Sequence, residues 1–244
     1  MRANKILNLE ELMGLEHSGL AYHFSHAVSR AGFASRYFKY LSELLERIDA
    51  KKVEQIILLL EEATERGNTI YLLGNGGSAA RASHLANDLN IGTRANGKRP
   101  IRAVSLTDNL PMITALANDE GYAFVFVRQL EGLLSPGDVV FGFSVSGNSE
   151  NIIKAFRFAG KKGALTVACT GFDGGELRPT ADLCLHISTP KGEYGPVEDI
   201  FTIVGHLIYS YLRLSRRATK GAGRELCKQA GSEGLELEPA GLEP

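Results

Sequence analysis

The chain has no tryptophan and only three cysteines, Cys169, Cys184 and Cys227, in 244 residues. So few cysteines, with no C-x-x-C spacing, exclude a disulfide framework and a four-cysteine zinc site. Cys169 and Cys184 sit in the apolar runs LTVACT and LCLHI, the setting of a small buried hydrophobe. Net charge is also lacking, because 27 Lys and Arg against 28 Asp and Glu leave −1. No whole-chain field therefore favours nucleic acid or an anionic membrane as the main partner. No stretch reaches the roughly 18 apolar residues that a membrane span needs. The opening MRANKILNLEELMGLEH has no unbroken apolar segment and no A-x-A site, so a signal peptide is not expected and a cytoplasmic location is.

What the chain does have is glycine, 27 of them, and a three-part organisation. Residues 1–67 read as helices without strand signal. Leu41, Leu44, Leu45 and Ile48 recur at helical spacing, as do Val53, Ile56, Ile57, Leu60 and Ala63. Asp49 is placed to cap the second of these helices, and Gly67-Asn68 to end it. Residues 68–214 alternate short β-rich runs, at 70–73, 101–105, 139–143, 164–168 and 183–187, with amphipathic segments at 78–90, 109–118, 122–134 and 149–162. The runs are mostly continuous rather than alternating, as in strands buried on both faces. This predicts an α/β fold, a doubly wound parallel sheet of five strands flanked by helices. A last helix is expected over 196–214, with Pro196 in its first turn. Residues 215–244, rich in Gly and Glu, read as a disordered tail.

Two polar loops fall at strand ends where such sheets bind ligands. One is Gly74-Asn75-Gly76-Gly77-Ser78, and the other is Ser144-Val145-Ser146-Gly147-Asn148-Ser149. Each leads into a helix, whose first N–H groups and dipole attract anions. Hydroxyls at Ser144, Ser146 and Ser149 add donors, a combination suited to a phosphate monoester. The first loop is no dinucleotide fingerprint, since Ala79 stands at its third glycine position, and no Gly-Lys-Ser/Thr occurs. A nucleotide cofactor is therefore not expected. The plain alternative is a pair of serine-capped turns.

Helical spacing puts His84 and Asp88 on one face of 78–90, and Glu198, Thr202 and His206 along one stripe of the last helix. Glu198 and His206 lie about 12 Å apart along a straight helix, so they share one centre only if Glu198 leans in from a frayed first turn or if subunits contribute separately. Arg94, Lys98, Arg99 and Arg102 form a basic cluster that reads either as solvated charge or as a guide for an anionic substrate.

G-N-G-G-S before a helix and S-x-S-G-N-S at a later strand end resemble the SIS (sugar isomerase) domain family, in its phosphoheptose isomerase branch. S-L-T-D at 105–108, A-N-D at 117–119, P-G-D-V at 136–139 and T-G-F-D-G-G at 170–175 strengthen the resemblance, which spans about 35–214. It implies a SIS-type fold with an N-terminal oligomerising helical extension, a homotetramer, and a small sugar phosphate as substrate. Ser78, Ser144, Ser146 and Ser149 would hold the phosphate, the backbone at Gly76 would lie against the substrate, and Asn75 and Asp108 would meet sugar hydroxyls. Asp88 and His206 would be the acid–base pair of an enediol isomerisation. In relatives that bind zinc or another divalent metal, the positions of His84, Asp88, Glu198 and His206 are the ligands. This chain departs from the family at Val145, usually Thr, at Asp88, usually Glu, and at Glu198, usually Gln. The competing expectation is a non-catalytic SIS module that binds a sugar phosphate or a protein, and the departures at 88 and 198 favour it. Retention of His84 and His206 favours the enzyme. A different SIS enzyme is a third, weaker alternative.

Overall fold

The computed structural model describes residues 19–218. Cys227 and nearly all of the expected tail lie outside the described residues. Three helices come first: α1 (Leu20–Ser25), α2 (Arg30–Glu46) and α3 (Ala50–Arg66). Asp49 caps α3 by accepting from the backbone N–H of Lys51 and Lys52, and Gly67 ends it in the left-handed region at φ 81°.

The α/β part then runs β1 (Thr69–Gly74), α4 (Gly77–Asn87), β2 (Arg102–Ser105), α5 (Leu110–Asp119), α6 (Val127–Leu133), β3 (Val139–Ser144), α7 (Glu150–Lys161), β4 (Leu165–Thr170), α8 (Leu177–Thr180), β5 (Leu183–His186) and α9 (Tyr194–Arg217). All strand pairs are parallel, in the order β2-β1-β3-β4-β5. The expected single helix over 122–134 is instead a 3-10 turn at Tyr122–Phe124 followed by α6. The last helix begins one turn fraction earlier than Pro196 and runs on to Arg217, with Arg216 and Arg217 facing the negative end of its dipole.

β1 and β3 are buried at every residue. Their side chains divide between two apolar layers. Ile70, Leu72, Phe141 and Phe143 pack with Ile56, Leu60, Leu85, Val204 and Ile208 from α3, α4 and α9. Tyr71, Leu73 and Val140 pack on the other side with Val125, Leu130, Ile152 and Phe156. At about 1.5–3 kcal/mol for each fully buried large apolar side chain, this two-sided burial is what holds the sheet. It also lays α4 and α9 side by side on one face, and that contact positions the site.

Candidate active site

The strand order reverses between β1 and β3, so the loops that leave these two strands diverge to opposite faces and leave a crevice. The two glycine loops flank it. Asn75 and Asn151 lock them together by exchanging two amide hydrogen bonds of 2.9 Å each. Tyr122 donates a third, of 2.8 Å, to Asn75 Oδ1. These fill both acceptor sites of the Asn75 oxygen and leave one of its N–H groups for a ligand.

In the second loop, Ser144 Oγ lies 3.4 Å from Ser149 Oγ, and Ser146 Oγ accepts from the backbone N–H of Asn148 at 3.2 Å. Ser149 is the residue immediately before α7, and its side chain makes no capping bond. Its hydroxyl and the first N–H groups of α7 thus converge on the same space. Gly147 turns the loop at φ 64°, and a side chain there would strike the carbonyl oxygen of Gly174. The T-G-F-D-G-G turn is therefore what the second loop rests on. Ser78 is buried at the start of α4. Asp108 is exposed in the loop that follows β2, accepting from Ser83 Oγ, with Ser83 Oγ 3.0 Å from Thr107 Oγ1.

A cavity of about 280 Å3 opens between α4 and α9, lined by Ser78, Arg81, His84, Glu198, Asp199 and Thr202 among others. The ring of His84 also packs edge to face against that of His206, with centroids 5.0 Å apart. Oδ2 of Asp88 lies 3.6 Å from Nε2 of His84 and 3.9 Å from Nε2 of His206. That oxygen is buried and has no hydrogen-bond partner among the described residues. After Asp88 the chain widens into a single π turn, Asp88–Gly92, an irregularity frequent where helices carry functional groups.

Nitrogen and oxygen donors of His84, Asp88 and His206 all lie within 4.8 Å of one another. Two imidazoles and a carboxylate are a suitable donor set for a divalent ion, and the orphaned Asp88 oxygen provides a lone pair for it. Glu198 stands apart from this trio. Its carboxylate lies against Gly77, where any side chain would collide with it. The cause is helix geometry: α9 is regular from Tyr194 onward, so Glu198 cannot lean down two turns to join His206. Burial, and then the neighbouring Asp199, push the Glu198 carboxyl above its ordinary range. Asp199 in turn accepts from Tyr37 Oη at 2.5 Å, which ties α2 to the start of α9.

Arg102 of the basic cluster lies away from the site. Arg102 donates to Thr69 Oγ1 at 2.7 Å, at the amino ends of the strands, opposite the glycine loops. Arg81 is the functional-site residue that sequence reasoning missed. It is 5% exposed, and its Nη1 lies 3.3 Å from Nδ1 of His84.

The SIS domain model matches residues 36–171, which includes both glycine loops, His84 and Asp88. A phosphoheptose isomerase of Akkermansia muciniphila is 40% identical over 159 residues, covering 65% of this chain and 82% of that protein. The chain belongs to the SIS-domain phosphoheptose isomerase family. A probable phosphoheptose isomerase of Thermoplasma acidophilum is 39% identical over 175 residues, 72% of this chain and 94% of its own length. The solved phosphoheptose isomerase of Neisseria gonorrhoeae superposes with a TM-score of 0.64 at 27% identity, over 84% of this chain and 98% of that one. The α/β sheet expected from the strand pattern is thus the SIS fold, in sequence and in structure.

Proposed function

We propose that this protein interconverts the ketose and aldose forms of a seven-carbon or similar sugar phosphate, of the sedoheptulose 7-phosphate type. The observation that carries the chemistry is the meeting of Asp88 and His206 beside His84, brought together by two packed helices next to a cavity that His84 lines together with Gly77 and Ser78 of the first glycine loop. In the reaction a base removes a proton from the carbon next to the open-chain carbonyl. The electron pair moves into a carbon–carbon double bond, the carbonyl oxygen takes a proton, and an enediol results. Returning a proton to the former carbonyl carbon, while the other enediol hydroxyl gives up its proton to become the new carbonyl, completes the exchange with no net oxidation. Asp88 and His206 are the acid–base pair, and His84 supports the charge on Asp88. Ser78, Ser144, Ser146 and Ser149 hold the phosphate with the N-terminus of α7. The free N–H of Asn75, the backbone at Gly76, Asp108 and Glu198 meet the sugar. Val145 offers no hydroxyl, but its backbone N–H remains.

His84, Asp88 and His206 are also the residues that would hold zinc or another divalent ion, which would supply Lewis-acid polarisation of the carbonyl oxygen. A charged phosphate ester does not cross a bilayer unaided, which supports a cytoplasmic setting. No helix among the described residues is long and apolar enough to cross a membrane. The helical part before β1 is assigned to oligomerisation, with residues 68–214 as the SIS domain. In support of a homotetramer, Ile203, Leu207 and Leu214 line α9 with exposed apolar side chains beside the half-exposed His206, and Phe38 is exposed on α2. Light scattering reads four subunits on this proposal, and a monomer would overturn the assembly.

Incubation with C6 to C8 ketose phosphates in deuterated water, followed by NMR, tests the activity. Deuterium entering at C2 of a heptose phosphate is the expected result. Absence of exchange with every substrate would instead favour a binding module.

A further inference from the structure

Beneath the two histidines lies a buried cation that the isomerase chemistry does not call for. Arg81 is 5% exposed, and its Nε and Nη2 atoms are buried with no hydrogen-bond partner among the described residues. Its Nη2 lies 3.8 Å from Oδ2 of Asp88, and its Nη1 lies 3.3 Å from Nδ1 of His84. α9 is built around this guanidinium: at Gly205 a Cβ would stand 2.5 Å from Nη2.

We infer that Arg81 is a positioning residue that keeps the His84–Asp88–His206 trio weak for divalent cations and ready for proton transfer. The inference rests on the reading of that trio as the reaction centre. It follows from donor chemistry. A guanidinium only donates, so Nδ1 of His84 must accept from it. A neutral imidazole whose Nδ1 is an acceptor carries its proton on Nε2. Nε2 is the atom that faces Oδ2 of Asp88 at 3.6 Å. The trio is thus held with N–H toward carboxylate, where a metal would need a lone pair. Metal-ligating histidines ordinarily show the reverse arrangement, in which the ring nitrogen away from the metal donates to a carboxylate or carbonyl. Arg81 puts a donor where that acceptor belongs. Its fixed positive charge also lies beside the carboxylate oxygen an ion would have to share, and in a buried setting like charges repel strongly.

The test is calorimetric titration of the full-length protein with Zn2+, repeated with Co2+ and read by its visible absorption, in one buffer at a single pH. Wild type, Arg81→Met and Gly205→Ala are compared. Gly205→Ala crowds the guanidinium and leaves the three facing residues unchanged, so it keeps the test decisive if Arg81→Met does not fold. Both variants are expected to bind the ions tighter, Arg81→Met by roughly 10- to 100-fold, the scale on which outer partners of metal ligands act. Adding Asp88→Ala to Arg81→Met is expected to abolish that gain. Ring 15N–1H spectra of the metal-free wild type are expected to show His84 protonated at Nε2. Unchanged or weaker affinity in both variants, a gain that survives Asp88→Ala, or an Nδ1–H His84 in wild type would each overturn the inference. Failure of the isomerase reading shows separately, as full activity in His206→Ala.

Discussion

Nε2 of His206 lies 3.9 Å from Oδ2 of Asp88, although one residue opens the π turn that follows α4 and the other sits in the middle of α9. Only the packing of these two helices on one face of the sheet joins them. If they are the acid–base pair, His206→Ala should lower kcat by about 10²- to 10⁴-fold, the usual contribution of a positioned acid or base. His206 is about half exposed, so its removal empties no core and the melting temperature should stay near wild type. Asp88→Asn should also lose activity, but with a lower melting temperature, because it strips the buried Arg81 of its nearest carboxylate. Isomerase assays paired with thermal melts separate the two outcomes. Wild-type turnover in His206→Ala would refute the pair.

Ser144→Ala tests the phosphate cradle. Ser144 is buried at the end of β3, and among the described residues its hydroxyl hydrogen-bonds only to Ser149 Oγ, at 3.4 Å. Losing one hydrogen bond to a charged phosphate costs about 1.5–3 kcal/mol. KM should therefore rise by roughly one to two orders of magnitude while kcat changes much less, and inorganic phosphate should compete more weakly. A fall in kcat at constant KM would place the phosphate elsewhere.

The strands were legible in the sequence because they are buried on both faces. Continuous apolar runs such as Val139–Ser144 have few other uses between turn signals. The glycine loops were legible because close backbone approach leaves its mark in residue type. The trio was half legible: the i, i+4 spacing brings His84 to Asp88, but nothing local says which turn of α9 lies opposite. The distance along a helix set Glu198 and His206 apart, but left open a meeting through a frayed first turn or through separate subunits. Arg81 was not legible at all. An arginine on an amphipathic helix ordinarily reads as solvated, and only the absence of a side chain at Gly205, on another helix, lets it be buried. Likewise the basic cluster offered a guide for an anionic substrate, yet Arg102 stands at the amino end of β2, a strand's length from the carboxyl end of the sheet.

Gly147→Ala should disable the second loop through its backbone. The residue adopts φ 64°, and an added Cβ would run into the Gly174 carbonyl, which cannot swing aside as a side chain can. The left-handed conformation alone costs about 1–2 kcal/mol with a Cβ, and the collision adds to it. The expected outcome is a lower melting temperature and a raised KM together. Gly97→Ala is the comparison, since φ there is 71° but no atom lies within reach of the new Cβ. It should show the conformational cost without the change in KM. Equal KM values in the two variants would mean that the Gly147–Gly174 contact does not shape the loop.

Glu198 gives a pH-dependent signature. Burial and Asp199 raise its carboxyl above the ordinary 4.5, so the folded protein binds its proton more tightly than the unfolded chain does. The sign follows from linkage. Below the unfolded value both states are protonated, and the group favours folding fully. As pH rises through the folded value, the folded state must ionise a half-buried carboxyl, and that stability is lost. Glu198→Gln keeps the shape against Gly77 without the charge. Its melting temperature relative to wild type should therefore be constant below about pH 4.5, climb above it, and level off once wild-type Glu198 is ionised. Melts of both proteins across pH 4 to 8, in one buffer series at fixed ionic strength, trace the difference directly. A difference that stays flat or falls with pH would mean that the N-terminus of α4 stabilises the Glu198 anion more than its burial opposes it.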